Sequence, residues 1–216
     1  MRIRQLQPSI VWEVSPNRGY STFWILQALQ KNAKGKLFSF DIVDKVSPNI
    51  HHFGKGTERF KLVIGDFLAQ FASYAVDFPC PDYVFLDSEH SPRFGQFWTT
   101  DLFPWLMKHH ELVHVSLHDV FNPWISGVRE ADPLDWTSTL EGQAVINWLA
   151  FNRNKWSCSF TPARSSGQSN YTKLMIAHVL ATGTEQTVRG IRHLSLEQNP
   201  TIFFTLSQRK LYFQAE

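Results

Sequence analysis

Five short runs rich in β-branched and aromatic residues recur up to residue 119, and four of them finish in or beside an acidic side chain: "SIVWEVS" (9–15), "KLFSFDI" (36–42), "FKLVIGD" (60–66), "DYVFLDS" (82–88) and "LVHVSLHD" (112–119). Separated by helical stretches, such runs are the mark of βα units and a parallel sheet. The first intervening stretch, "TFWILQALQKNAKG", carries apolar residues at helical spacing and closes on Gly35, placed to be the left-handed residue just past the helix end. In a parallel sheet, ligands bind beyond the carboxyl ends of the strands, beside the switch in strand order. Glu13, Asp41, Asp66, Asp87 and Asp119 all fall at or near those ends. A single acid there is more often a cap than a site, but the regular recurrence points to a binding rim.

Beyond residue 120 the alternation loosens. "NPWISG", "EADPLDW" and "TPARSSGQSN" are rich in turn formers, while "LEGQAVINWLAFN" predicts one helix. A single α/β domain over residues 1–216 is expected, with a substrate-side insertion at about 122–183. Near the end, "TIFFTLS" and "KLYFQ", separated by Gln208 and Arg209, are expected to form an antiparallel hairpin closing the sheet.

Composition excludes several classes. The net charge is +2 with Lys and Arg scattered, so no basic footprint for nucleic acid or a membrane surface exists. No apolar run approaches the roughly 20 residues that span a bilayer. The two cysteines, Cys80 and Cys158, have no metal-type neighbours, and nothing at the start resembles a signal peptide, so a reduced, cytoplasmic setting is expected.

The stretch "VWEVSPNRGYST" (11–22) runs from strand to helix start through a turn with one glycine. Ser15 and Asn17 occupy positions where a dinucleotide or sulfonium site would show glycine. Asn17 tolerates the left-handed backbone, and Gly19 lets the helix start pack tightly against the strand. Ser21 and Thr22 offer hydroxyls and free N–H groups in the first helical turn, suited to a carboxylate or phosphate; Ser21 is equally open as a plain N-cap.

Residues 10–120 resemble the class I S-adenosylmethionine-dependent methyltransferases. The likeness is to the small-molecule O-methyltransferases of the catechol and caffeoyl-CoA type and to the macrolide-sugar O-methyltransferases. That family's first motif reads strand, Glu, x, Gly, three residues, Gly, Tyr, Ser; here Glu13, Gly19, Tyr20 and Ser21 match it and Ser15 stands in the first glycine's place. The resemblance implies a Rossmann-like fold binding S-adenosylmethionine. It places Glu13 near the ammonium, Ser21 on the carboxylate and Asp41 on the ribose hydroxyls, with Ser15, Asn17, Gly19 and Tyr20 completing the turn that holds the cofactor. Both acids suit those partners, since a carboxylate bonds well to an ammonium and accepts from two vicinal hydroxyls. "IGDF" resembles the segment facing the adenine, with Asp66 or Phe67 as the contact, Phe67 being also open to a core role.

"DYVFLDSEHS" lacks the polar–Pro–Pro–aromatic motif expected of enzymes that methylate nucleic-acid amino groups. In the O-methyltransferases it resembles, the strand-four Asp and a strand-five Asp–Asn pair hold a divalent metal, and the residue three after the first Asp is the general base. The resemblance therefore implies Asp87, His118 and Asp119 as metal ligands and His90 as base. With His–Asp replacing Asp–Asn, the N,O,O set favours Mn, Fe, Zn or Ni and leaves Mg open. A cation would lower the pKa of a hydroxyl and align it, and a histidine suits the proton removal. His118 is also open to a core role, His114 reads as packing, and His51, His52, His109 and His110 read as loop or helix-end residues.

Substrate choice is expected to rest on residues 122–183, on the loop after His90, or on a neighbouring subunit of a homo-oligomer. Trp124, Trp136, Trp148 and Trp156 are candidates for an aromatic wall, with core packing expected for at least half, and Arg153 and Arg164 for a substrate anion. The expected substrate is a small hydroxylated molecule. Two other readings stay open: a metal-dependent oxygenase or hydrolase on the same fold, and a non-catalytic cofactor-binding domain of a larger assembly.

Overall fold

The computed structural model describes residues 2–54, 56–118, 140–152, 156–157 and 202–207. In chain order the elements are α1 (Arg2–Leu6), β1 (Ile10–Val14), α2 (Tyr20–Asn32), β2 (Lys36–Asp41), β3 (Phe60–Ile64), α3 (Phe67–Asp77), β4 (Tyr83–Leu86), α4 (Pro92–Phe97), α5 (Phe103–His109), β5 (Leu112–Leu117), α6 (Leu140–Phe151), β6 (Trp156–Ser157) and β7 (Ile202–Ser207). They fall into two compact units: Met1–Ser88 with Val113–Val115, and Glu89–Leu112 with the described residues from Ser116 onward.

In the first unit β1 lies parallel to β2 on one side, Ile10 facing Lys36 and Val14 facing Phe40, and parallel to β4 on the other, Val11 facing Tyr83 and Val14 facing Leu86. With β3 beyond β2, the order is β3-β2-β1-β4. The chain thus moves outward from β1 through β3 and returns to the other side of β1, which puts the switch point between β1 and β4. Beside β4 the His114 N–H donates to the Asp82 carbonyl at 3.1 Å, so Val113–Val115 continue this sheet.

Successive side chains alternate between the two faces, and both faces are covered. On one, Val11 and Leu37 pack with Ile25, Leu26 and Leu29 of α2 and Ile3 of α1. On the other, Trp12 and Phe40 meet Phe67 and Tyr74 of α3 as a cluster of rings, Trp12 to Phe40 at 5.1 Å between centroids. This two-sided burial explains why β1 and β2 read as nearly unbroken apolar runs. Asp82 anchors the sheet's lower edge, its two oxygens accepting from the Ser9 and Ile10 N–H groups at 2.8 and 2.9 Å.

One helix end differs from expectation. The left-handed residue that closes α2 is Ala33, φ 52°, whose N–H turns back to the Leu29 and Gln30 carbonyls. Asn32 just before it is tied to α1, donating to the Ile3 carbonyl at 2.9 Å, which ends the helix ahead of Gly35. Gly35 has its own requirement: at φ 96° a Cβ there would stand 2.5 Å from the Pro8 carbonyl oxygen.

In the second unit the stretch after His90, expected to be a loop, is helical. Pro92 starts α4 in the first helical turn, a one-turn π-helix at Trp98–Leu102 follows, and α5 continues to His109. The core is built from Trp98, Leu102, Phe103 and Leu106 with Val145 and Leu149 of α6 and Phe204 and Leu206 of β7. Trp148 packs its ring on Phe103 at 5.3 Å, a core contact. A close crossing joins α4 to α6: a Cβ at Gly95 would lie 2.8 Å from both Glu141 Cα and Ala144 Cβ.

The strands of this unit run β5-β7-β6. "TIFFTLS" is an antiparallel strand as expected, and it pairs with β6, Trp156 facing Leu206 and Ser157 facing Thr205. "KLYFQ", with which a hairpin was expected, falls within residues 208–216 and lies outside the described part. Helix α6 and strand β6 both fall inside the stretch read as an insertion; Trp124, Trp136, Arg153 and Arg164 are outside the described part. Among the described residues, no helix is long and apolar enough to cross a membrane.

Candidate functional site

The turn from β1 to α2 holds three left-handed residues, Ser15 (φ 62°), Asn17 (φ 50°) and Gly19 (φ 88°). Ser15 donates its N–H to the Phe40 carbonyl at 2.8 Å and Gly19 to that of Pro16 at 2.9 Å, folding the chain back on itself at the switch point. Gly19 is needed for a different neighbour from the strand expected: an added Cβ would stand 2.6 Å from Phe53 Cζ and 3.2 Å from Val46 Cγ1. The closeness arises because the helical turn Ser47–Phe53 folds over the start of α2. Ser15 holds a glycine-like conformation without being glycine. Ser15→Gly is therefore expected to raise the unfolding free energy by about 0.5–1 kcal/mol, the ~1–2 kcal/mol of left-handed strain less the ~0.5–1 kcal/mol of extra chain entropy lost by glycine. Urea denaturation checks it, and a destabilised variant would show that the Ser15 side chain matters more than its strain.

Helix α2 opens on Gly19, with no side-chain cap, so Ser21 is the helix's second residue rather than its N-cap and Tyr20 stands exposed. The backbone donors of this first turn are disposed to receive an anion. Beneath them Glu13 is fully buried, its Oε2 accepting from Thr22 Oγ1 at 2.8 Å and Ser39 Oγ at 2.5 Å. Its Oε1 is buried with no hydrogen-bond partner. The alternation of β1 and β2 produces this: Glu13 and Ser39 share the α2-side face and are register partners.

Burial pushes the Glu13 carboxyl above its ordinary 4.5, the Ser21, Ser39 and Thr22 hydroxyls oppose the shift, and the Asp87 charge adds to it. The native state therefore keeps this proton to higher pH than the unfolded chain does. Stability is lost as pH climbs from about 4.5 through the raised value. Glu13→Gln removes that contribution. Its denaturation midpoints should fall less steeply with rising pH than those of the parent, and parallel slopes would contradict the assignment.

Asp41 closes β2 at the same rim, Oδ2 accepting from the Asn17 N–H at 3.2 Å and Oδ1 from the Val43 N–H at 3.3 Å. Ile42 beside it is 69% exposed. Gly65 donates to the Asp41 carbonyl at 2.8 Å, and Asp87 donates its N–H to that of Val14 at 3.2 Å. Thus Glu13, Ser15, Asn17, Asp41, Asp66 and Asp87 gather at the carboxyl ends of four neighbouring strands. Asp66 caps α3, accepting from Leu68 and Ala69 at 3.0 and 3.2 Å. Phe67 is a core residue between Trp12, Phe40 and Tyr74, only 4% exposed.

In the second unit His90 is buried and adopts a left-handed backbone, φ 61°. Its Nδ1 lies 2.8 Å from Glu141 Oε2, and the Glu141 N–H donates to the His90 carbonyl at 3.4 Å. Trp98 Nε1 donates to the other Glu141 oxygen. Glu141 was not singled out by the sequence, where it stands only as an acid in the first turn of an apolar helix, a position acids occupy for the helix dipole. His118 follows β5, and Asp119 lies outside the described residues. Among the described residues no three His, Cys, Asp or Glu side chains are grouped to hold a metal ion. The donor set drawn from the resemblance is described for two of its three members, Asp87 and His118. Cys80 in the first unit has its thiol pushed up to about 12 by burial and by Asp82, which leaves it inert as a nucleophile at neutral pH.

A doubly covered parallel sheet entered by a left-handed strand-to-helix turn, with a carboxylate ending the second strand, is the arrangement of Rossmann-like nucleotide-binding folds. Residues 16–120 match the family described as a methyltransferase domain. Solved structures agree. The O-methyltransferase TomG from Streptomyces achromogenes, involved in tomaymycin synthesis and solved with SAM, superposes with a TM-score of 0.58 at 14% identity, covering 95% of this chain and 76% of its own. An O-methyltransferase from Bacillus cereus in complex with SAH gives 0.60 at 10% identity, over 96% and 77%. The SAH-bound Podospora anserina methyltransferase PaMTH1 gives 0.53 at 15% identity, over 75% and 70%. At these identities the likeness is one of fold. No curated protein matches the chain by sequence.

Proposed function

We propose that this protein is an S-adenosylmethionine-dependent methyltransferase acting on a hydroxyl of a small molecule. The observation that carries the reading is the left-handed turn Ser15–Asn17–Gly19 set between the Asp41 carboxylate and the uncapped first turn of α2, over a buried Glu13. Asp41 would accept from the ribose hydroxyls, the α2 N–H groups with Ser21 would take the carboxylate, and Glu13 would supply negative charge for the ammonium. Ile42, exposed beside Asp41, offers an apolar wall for the base. The cofactor complexes of TomG and the Bacillus cereus enzyme support the choice of ligand.

Once bound, S-adenosylmethionine supplies an electrophilic methyl group. His90, with Nδ1 turned to Glu141, would take the acceptor's hydroxyl proton on Nε2 and so leave the oxygen nucleophilic toward that methyl group. The divalent ion implied by the resemblance would be held by Asp87, His118 and Asp119 and would acidify the hydroxyl.

Calorimetry with S-adenosylhomocysteine tests the cofactor, with a dissociation constant expected in the micromolar range. Absence of binding at millimolar ligand would overturn the reading. Turnover on a panel of hydroxylated metabolites, with chelator and after Mn or Mg is restored, tests the acceptor class and the metal.

A further inference from the structure

The proposal that follows rests on His90 as the base. We propose that Glu141 is a positioning residue that fixes His90 as the Nδ1–H tautomer, with Trp98 deciding which Glu141 oxygen the ring meets. Glu141 is 1% exposed and both of its oxygens are engaged, Oε1 by Trp98 Nε1 and Oε2 by His90 Nδ1 at 2.8 Å. A carboxylate only accepts, so the ring nitrogen facing it must donate. In the neutral ring the proton then sits on Nδ1, and the lone pair that a base needs is on Nε2.

The grip reaches the backbone as well. The Glu141 N–H holds the His90 carbonyl while His90 occupies a left-handed conformation that few non-glycine residues adopt. The first turn of α6 can come this near because residue 95 is glycine, a Cβ there reaching to 2.8 Å from Glu141 Cα. Two side chains 51 positions apart are thus brought together by a helix crossing made for close approach.

The arrangement predicts a tautomer switch. Trp98 Nε1–H is a donor only and requires an oxygen. In Glu141→Gln the single amide oxygen goes to Trp98, the NH2 faces His90 Nδ1, and the ring must become the Nε2–H tautomer. Adding Trp98→Phe frees that oxygen to accept from Nδ1–H, and the original tautomer returns.

Imidazole 15N spectra of the full chain, recorded without cofactor or acceptor, read this directly. The expected sequence is Nδ1–H in the parent, Nε2–H in Glu141→Gln, and Nδ1–H in the double variant; Trp98→Phe alone stays Nδ1–H. An Nε2–H ring in the parent overturns the proposal even if a variant fails to fold. So does an unchanged tautomer in Glu141→Gln, or a double variant that does not revert. Methyl transfer should fall by about 10²- to 10⁴-fold in Glu141→Gln and recover at least about tenfold in the double variant. S-adenosylhomocysteine affinity should stay constant throughout. If the tautomers follow this order but the parent binds no S-adenosylhomocysteine, the functional reading fails and the positioning pair stands.

Discussion

Asp41→Ala is expected to weaken S-adenosylhomocysteine binding by about 10²- to 10³-fold. Hydrogen bonds to a charged group contribute about 1.5–3 kcal/mol each, and two of them to a vicinal diol, allowing for incomplete additivity, come to about 3–4 kcal/mol. The same carboxylate also receives the Asn17 and Val43 N–H groups, so its removal loosens the turn as well as the ribose contact. Asp41→Asn separates the two effects. It keeps one acceptor oxygen and loses the charge, so its penalty should be intermediate, about tenfold. Calorimetry on the three proteins decides the matter: an alanine variant that binds like the parent would place the ribose elsewhere.

The parts of this protein that were legible in the sequence are those determined by local chemistry. All five strands read from "SIVWEVS" to "LVHVSLHD" form, because each is a β-branched or aromatic run bounded by turn residues. Asn17 takes the left-handed conformation expected of it, and Ser15 does so in the first glycine's place. What escaped was set by contacts distant in sequence. Nothing in alanine marks Ala33 as the end of α2; Asn32 bonding to α1 does. Gly19 serves Phe53, a neighbour that a strand-and-helix pattern does not reveal. The helices after His90 were hidden because "PRFGQFWTTDLFPW" carries a glycine and two prolines, residues that normally punctuate rather than continue a helix. Glu141 is the clearest case, since its meeting with His90 depends on the crossing at Gly95 and on a tryptophan N–H that no spacing rule predicts.

His90 is the residue whose replacement is expected to cost most turnover, and the choice of substituent separates chemistry from packing. His90→Ala should lower methyl transfer by about 10²- to 10⁴-fold, the usual contribution of a positioned general base. It also strips the Nδ1–H from a carboxylate that is 1% exposed, and breaking such a buried pair costs about 3–5 kcal/mol. Loss of activity in that variant would therefore be ambiguous by itself. His90→Asn removes the ambiguity. The asparagine amide nitrogen falls where Nδ1 stood and can donate to Glu141, and asparagine accepts the left-handed backbone better than most residues, so stability should stay within about 1 kcal/mol of the parent. It has nothing in the place of Nε2, however, and cannot take up a proton. Turnover in His90→Asn should accordingly fall as far as in His90→Ala while its denaturation midpoint remains near the parent's. A folded asparagine variant that still transfers methyl groups at the parent rate would remove His90 from the chemistry and leave its bond to Glu141 as a purely structural tie.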